Sequence, residues 1–321
     1  MSGRVRIAVA RRYLAGFLPV VALLASAIEC PAFAADRFPL ALKDDRGVTV
    51  RLAAPPRRVV SLVPSLTEIV FLLGRDGSLV GVTRFCNFPP AASGLPKIGG
   101  VSDPDVERIV ALSPDLVLCT TDGNPREKVR ALEEMGIPCF AVAPQDLDAV
   151  FTAIERLGVL LGAADRGRAE AGALRRRARL ARPSSSDVEK PAALFVVSTA
   201  PIIAAGEGTF MDELARLAGG RNAAARFSGR YPRLSVEELV AARPDVIFVA
   251  GMAGVERFSP EITRWKEVPA FRDGAVITLD GDLVTRPGPR LVIALEWVSS
   301  VFADWRARRP KAPGAGAGGK R

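Results

Sequence analysis

Short apolar runs alternate with helix-period stretches along most of this chain, a pattern that predicts parallel βαβ units. After an extended entry at Val48–Leu52, Val59–Val63 reads as a buried strand. Ser65-Leu66-Thr67-Glu68 has the form of a capping box, opening a helix to Leu73 that Gly74 closes. Leu79–Val82 is a second strand, and Asp103-Pro104 supplies an N-cap and a first-turn proline for a helix through Leu112. Strand Leu116–Cys119, helix Arg126–Met135 and strand Cys139–Val142 follow. The carboxyl ends of these strands, at Pro64, Arg84-Phe85 and Thr120–Asn124, should share the edge where such sheets bind ligands.

From Asp146 to Arg182 the pattern becomes one long helical stretch, basic and alanine-rich in its second half and ended by Pro183-Ser184-Ser185-Ser186. A second series then begins. It comprises strand Ala193–Val197, helix Phe210–Leu217 closed by Gly219-Gly220, helix Val236–Ala242, strands Val246–Val249 and Ala275–Leu279, and a last helix from Pro289 to about Trp305. The predicted fold class is therefore α/β: two Rossmann-like lobes, each with a central mostly parallel sheet, joined by one long rigid helix. The expected limits are 35–145 and 187–306 for the lobes and 146–186 for the linking helix and exit loop, with a flexible basic tail over 307–321.

An internal repeat supports two lobes of like architecture. Val106–Leu118 lies over Val236–Phe248 without a gap, with six of thirteen positions identical. Each copy is a helix, a Pro-Asp turn and a buried strand, and each carries a glutamate near the helix start, Glu107 or Glu237. Acids there complement the helix dipole. That does not explain why the slot is used twice while its neighbour changes from Arg108 to Glu238. Two carboxylates on one outer face would make a two-pronged grip for arginines on a partner.

The chain's start adds a location. Arg4, Arg6, Arg11 and Arg12 precede an apolar stretch from Leu14 to Ile28, and Ala32-Phe33-Ala34 follows in the small-x-small pattern of a signal peptide, placed at 1–34 with cleavage after Ala34. The stretch is shorter than the roughly 20 residues a spanning helix needs. Glu29 argues against lipid attachment at Cys30. The expected location is the periplasm. The formal charge of +9 vanishes on inspection, because basic and acidic residues between Ala35 and Trp305 balance at 34 each. No basic stripe remains to follow a phosphate backbone, so nucleic acid is not an expected partner. Cys86, Cys119 and Cys139 remain after cleavage, the last two in sheet positions that favour plain thiols. The chain has no histidine, which removes the usual triads and the usual catalytic zinc sites, and the expected reading is not an enzyme, with no cofactor and no metal site.

These segments resemble the helical-backbone class of ABC-importer substrate-binding proteins, whose members carry vitamin B12, iron-siderophores or haem. The resemblance runs from about Arg57 to Trp305 and rests on Arg58–Glu68, Gly81–Pro90, the two repeat copies and Arg286-Pro287-Gly288-Pro289-Arg290. The Pro-rich loop after the second strand points to the cobalamin-binding branch. The resemblance implies a monomeric periplasmic solute-binding protein, carrying cobalamin or a related corrinoid in an interlobe cleft. Its partners would be a permease dimer with its ATPase, docked on Glu107 and Glu237. It further implies Phe85 and Tyr231 as facing aromatics, with Asp282 and Arg286 as polar positions at the cleft. Where the cobalamin-binding relatives place a tryptophan ahead of the Glu107 helix, this chain has Val101, which thins one wall.

Other readings follow from the same residues. An iron-siderophore carrier could use Arg84, Arg230 and Arg286, and a haem carrier would have only Tyr231 for an axial ligand in the mature chain. An enzyme on a doubly wound fold could read Gly206-Glu207-Gly208-Thr209 as a phosphate loop, but no lysine follows it. A membrane-tethered sensor could use the same fold and the basic tail.

Overall fold

The computed structural model describes residues 38–184, 189–251, 258 and 263–309. The expected leader with its cleavage point, Ser185-Ser186 and the tail beyond Arg309 lie outside the described residues.

The N-terminal lobe opens with a hairpin, β1 (Leu40–Lys43) against β2 (Thr49–Leu52). Then come β3 (Val59–Ser61), α1 (Pro64–Leu72), β4 (Leu79–Val82), α2 (Val106–Ala111), β5 (Leu116–Cys119), α3 (Arg126–Glu134) and β6 (Cys139–Ala141). The sheet runs β4-β3-β5-β6, all parallel, and β3, β5 and β6 are buried throughout, as a sheet covered on both faces requires. Val60, Val117 and Cys139 pack under α2 and α3, while Val59, Leu116 and Phe140 face the other way.

Two helix starts differ from expectation. The Ser65–Glu68 box does not cap α1, whose N-cap is Val63, with Pro64 in the first turn and no side-chain cap. Thr67 instead donates to Ser61 Oγ at 2.9 Å, and Glu68 is buried against the other lobe. Likewise, Asp105 rather than Asp103 caps α2, its carboxylate accepting the Arg108 N–H at 3.0 Å.

The stretch expected as one helix is a hairpin of two, α4 (Leu147–Leu160) and α5 (Ala164–Ala181). Gly162, at φ +68°, lies in the break between them, a backbone setting glycine adopts at no steric cost. The hairpin closes tightly because a Cβ on Gly158 would lie 2.9 Å from the Gly167 Cα. Arg175 pairs with Glu155 across it, and the basic face of α5 is further tied by Arg177 to Glu296 at 2.7 Å. The long helix that joins the lobes is therefore α5 alone.

The C-terminal lobe comprises β7 (Ala192–Thr199), β8 (Ile202–Ala204), α6 (Phe210–Leu217), β9 (Arg221–Asn222), α7 (Val236–Ala242), β10 (Val246–Gly251), α8 (Pro269–Arg272), β11 (Val276–Asp280), α9 (Gly281–Thr285) and α10 (Leu291–Ala307). Its sheet is mixed: β11, β10, β7 and β9 are parallel, and β8 turns back antiparallel on β7. Phe195 stacks on Phe248 with ring centroids 4.7 Å apart, and Trp297 and Phe302 of α10 close over Phe248. Each of the three fully buried phenylalanines contributes roughly 1.5–3 kcal/mol. This apolar cluster continues without interruption to β3 and α1, so the lobes share a core through α4, α5 and α10. Arg306, near the end of α10, donates to the Gly219 carbonyl at 2.7 Å, and Arg309, expected in the flexible tail, meets Asp245 at 3.0 Å.

Candidate functional site: an interlobe cleft

Between the carboxyl edges of the two sheets lies a cleft of about 500 Å³. The N-terminal lobe lines it with Pro64, Phe85, Val101, Thr120 and Asp122, the C-terminal lobe with Phe210, Arg230, Tyr231, Thr285 and Arg286. Phe85 is 48 % and Tyr231 53 % exposed, so both rings present apolar surface in the cleft. Apolar walls with a few directed polar groups are what small-molecule sites require.

Each wall is fixed from behind. Arg84 lies 4.9 Å from the Phe85 ring centroid and is itself forked by Asp103, at 3.0 and 2.9 Å. The guanidinium holds the Asp103 carboxyl below its usual range. Gly100 permits the pair, since a Cβ there would sit 2.2 Å from Asp103 Oδ1. On the far side, the Arg230 carbonyl accepts the Gly206 N–H at 2.8 Å, and a Cβ on Gly206 would collide with the Gly229 carbonyl. Thr209 caps α6 and donates to the Gly206 carbonyl. The Gly206–Thr209 segment thus clamps the loop that carries Arg230 and Tyr231.

Of the expected ligand residues, Phe85, Tyr231 and Arg286 line the cleft and Asp282 does not. Asp282 accepts from Arg286 at 2.7 Å and from Asn87 at 2.9 Å. Arg286 also donates to Asn87 Oδ1 at 2.7 Å and to the Phe85 carbonyl at 3.2 Å, and lies 3.5 Å from Glu68. Arg290 meets the same Glu68 at 2.7 and 3.0 Å and covers the Phe88 ring at 4.3 Å. Arg286 is therefore a strut between lobes whose charge is already balanced. Asn87, Glu68 and Arg290 belong to this strut, and sequence reasoning missed their role, because an ion pair between remote segments leaves no local pattern.

The repeat is geometric as well as sequential. Ser113 and Arg243 occupy equivalent positions, at φ 45° and 44°. Asp115 accepts the Arg57 and Arg58 N–H groups, and Asp245 accepts that of Ala192, so each copy pins the start of its lobe's central strand. Asp105 and Ser235 cap the equivalent helices. The changing neighbours are both absorbed there: Arg108 pairs with Asp105 at 3.0 Å, and Glu238 completes a capping box with Ser235. Glu107 and Glu237 take no part in capping and stay exposed. Each helix runs back against the strand that follows it, which puts both first turns toward the carboxyl edges of the sheets. Glu237 is engaged by Arg264 at 3.1 Å.

Among the described residues Cys86, Cys119 and Cys139 are buried free thiols, and burial pushes the Cys119 thiol up to about 12. Among the described residues no cluster of His, Cys, Asp or Glu is arranged to hold a metal ion, and no helix is long and apolar enough to cross a membrane.

Comparison with known proteins agrees with this architecture. A vitamin B12-binding protein of Vibrio vulnificus (strain CMCP6) is 30% identical over 259 residues, 80% of this chain and 94% of that protein. The crystal structure of the periplasmic vitamin B12-binding protein BtuF of Vibrio cholerae superposes with a TM-score of 0.71 at 27% identity, covering 79% of this chain and 99% of that one. The periplasmic heme-binding protein RhuT from Roseiflexus sp. RS-1 gives 0.70 at 30% identity, covering 78% and 99%. The match to the periplasmic binding protein family spans residues 59–283, and the chain belongs to that family.

Proposed function

We propose that this protein is the periplasmic solute-binding protein of an ABC importer, carrying cobalamin or a related corrinoid. The observation that carries the reading is the cleft, with exposed aromatic rings from both lobes among polar side chains, in a chain about 30% identical to B12-binding proteins over most of its length. A corrin is a broad, largely apolar face with an amide rim, and the exposed rings of Phe85 and Tyr231 offer it apolar contact. Val101 lines the same cleft as a small side chain, leaving room beside them. The protein works as a monomer released after cleavage at Ala34, without a cofactor of its own and without catalysis. A permease dimer with its ATPase receives it through Glu107 and Glu237.

A second reading, a haem or ferric-siderophore carrier, is favoured by Tyr231, whose phenol is exposed in the cleft and could ligate iron. Calorimetric titration of the mature protein with cyanocobalamin, haemin and a ferric hydroxamate decides between them. Calorimetry suits the protein because no tryptophan lines the cleft. Saturable heat with cyanocobalamin and none with the iron chelates is the expected result. The reverse pattern would replace the first reading by the second.

A further inference from the structure

The arginines near the cleft divide into two groups. Arg84 is forked by Asp103, and Arg286 is balanced by Asp282 and Glu68. Arg226 and Arg230 have no carboxylate partner among the described residues. These two lie in one groove of about 420 Å³ on the C-terminal lobe, together with Phe227, Ser228 and Glu207. Arg230 lines both the groove and the interlobe cleft, so the two spaces adjoin at this residue.

The groove has a definite chemistry. Two guanidiniums and one carboxylate leave a formal charge of +1, which matches one singly charged anion and disfavours a highly charged one. Arginine forks suit phosphate oxygens, and Ser228 adds a hydroxyl. Phe227 is half-buried against the lobe's core and supplies an anchored apolar floor, with the Arg226 guanidinium 5.5 Å from its ring. Gly208 and Gly229 both take positive φ, and a Cβ at either would meet nothing within 4 Å, so the groove is open to solvent on that side.

We infer that this groove is a subsite for a phosphodiester-linked aromatic appendage of the ligand, while the ligand's macrocycle occupies the cleft. The inference rests on the corrinoid reading and extends it. Arg230 takes the phosphate where the two spaces meet, and Arg226 and Phe227 receive the heterocycle beyond it. A corrinoid bearing a nucleotide arm then binds through two connected sites, and one lacking the arm binds through the cleft alone.

The test compares cyanocobalamin with dicyanocobinamide, which has the ring but neither phosphate nor heterocycle, by calorimetry on the mature protein. The expected result is about tenfold or more tighter binding of cyanocobalamin, as a charge-assisted contact implies. Arg226→Ala, far enough out to leave the cleft intact, should shrink that gap several-fold with dicyanocobinamide affinity unchanged, and Arg226→Lys should restore part of it. Equal affinity for the two corrinoids, or equal weakening of both by Arg226→Ala, would overturn the subsite while leaving the carrier reading in place. Binding of neither corrinoid would remove the corrinoid reading itself, and the proposed occupant with it.

Discussion

Arg290, at the start of α10 in the C-terminal lobe, holds Glu68 of α1 in the N-terminal lobe through two hydrogen bonds of 2.7 and 3.0 Å. Their side chains are 12 % and 3 % exposed, and Gly288 lets the loop pass within contact of Ser65 beside them. Removing one partner of such a pair leaves buried charge uncompensated. Glu68→Gln should therefore lower unfolding free energy by about 3–5 kcal/mol in denaturant titrations. The double variant Glu68→Gln with Arg290→Met should recover part of the loss, and strict additivity would show that the two do not act as a pair.

Glu107 and Glu237 give a prediction about the partner alone. Glu107→Lys and Glu237→Lys should each weaken association with the permease reconstituted in lipid discs, and together abolish it. Ligand affinity by calorimetry should stay within about twofold, since neither residue lines the cleft. Arg264→Ala frees Glu237 from its in-chain partner and should strengthen association modestly, as an exposed ion pair contributes little.

The α4–α5 hairpin depends on the approach of Gly158 to Gly167. Gly158→Ala puts a methyl 2.9 Å from a backbone carbon and should destabilise the protein by about 1–3 kcal/mol, despite alanine's better helix propensity. Gly172→Ala, on α5 with only an arginine side chain nearby, should be neutral or slightly stabilising in the same assay.

The parts of the fold legible in sequence were those fixed by short-range pattern. The repeat placed both Pro-Asp turns, and the αβ alternation placed β3, β5, β6, β7 and β10. Misreadings arose where two local signals competed or a distant residue decided. Ser65–Glu68 has the spacing of a capping box, but Arg290 draws Glu68 away. Asp103-Pro104 looks like a helix start, but Arg84 claims Asp103 and leaves the cap to Asp105. The break at Gly162 did have a local signal, a glycine after an apolar turn, that a continuous helical pattern on both sides obscured. Short β8 and β9 exist only because β7 is there to pair with. At the site, Phe85 and Tyr231 fell in loops that the strand pattern could place, Asp282, read the same way, lies in α9, and Arg286 came from the family resemblance alone. The balance of Arg286 by Asp282 and Glu68 could not be read before the lobes were assembled.

Glu213 of α6 accepts the Leu147 N–H of α4 at 2.9 Å, and burial raises its carboxyl above the usual value. The folded protein therefore holds that proton more tightly than the unfolded chain does. The resulting cost is absent below the unfolded value and complete above the folded one, so this group's effect lowers stability as pH rises between them. Glu213→Gln keeps an acceptor without the charge. Its melting temperature should equal or exceed that of the parent at neutral pH, and the difference should shrink on acidification.

Cys119 and Cys139 are held protonated by burial, and Cys86 is equally enclosed. Iodoacetamide at neutral pH should leave all three unmodified in the native protein and label all three in denaturant, as counted by mass spectrometry.

The twin turns at Ser113 and Arg243 have a mechanical meaning for the carrier. Each fixes its helix to its own lobe by the same backbone bend and the same aspartate, so the first turns that carry Glu107 and Glu237 move with their lobes. A rotation of one lobe against the other then changes the gauge between the first turns of α2 and α7. Under the docking proposed for Glu107 and Glu237, a receptor that grips both would measure the opening of the cleft from outside, without touching what lies in it.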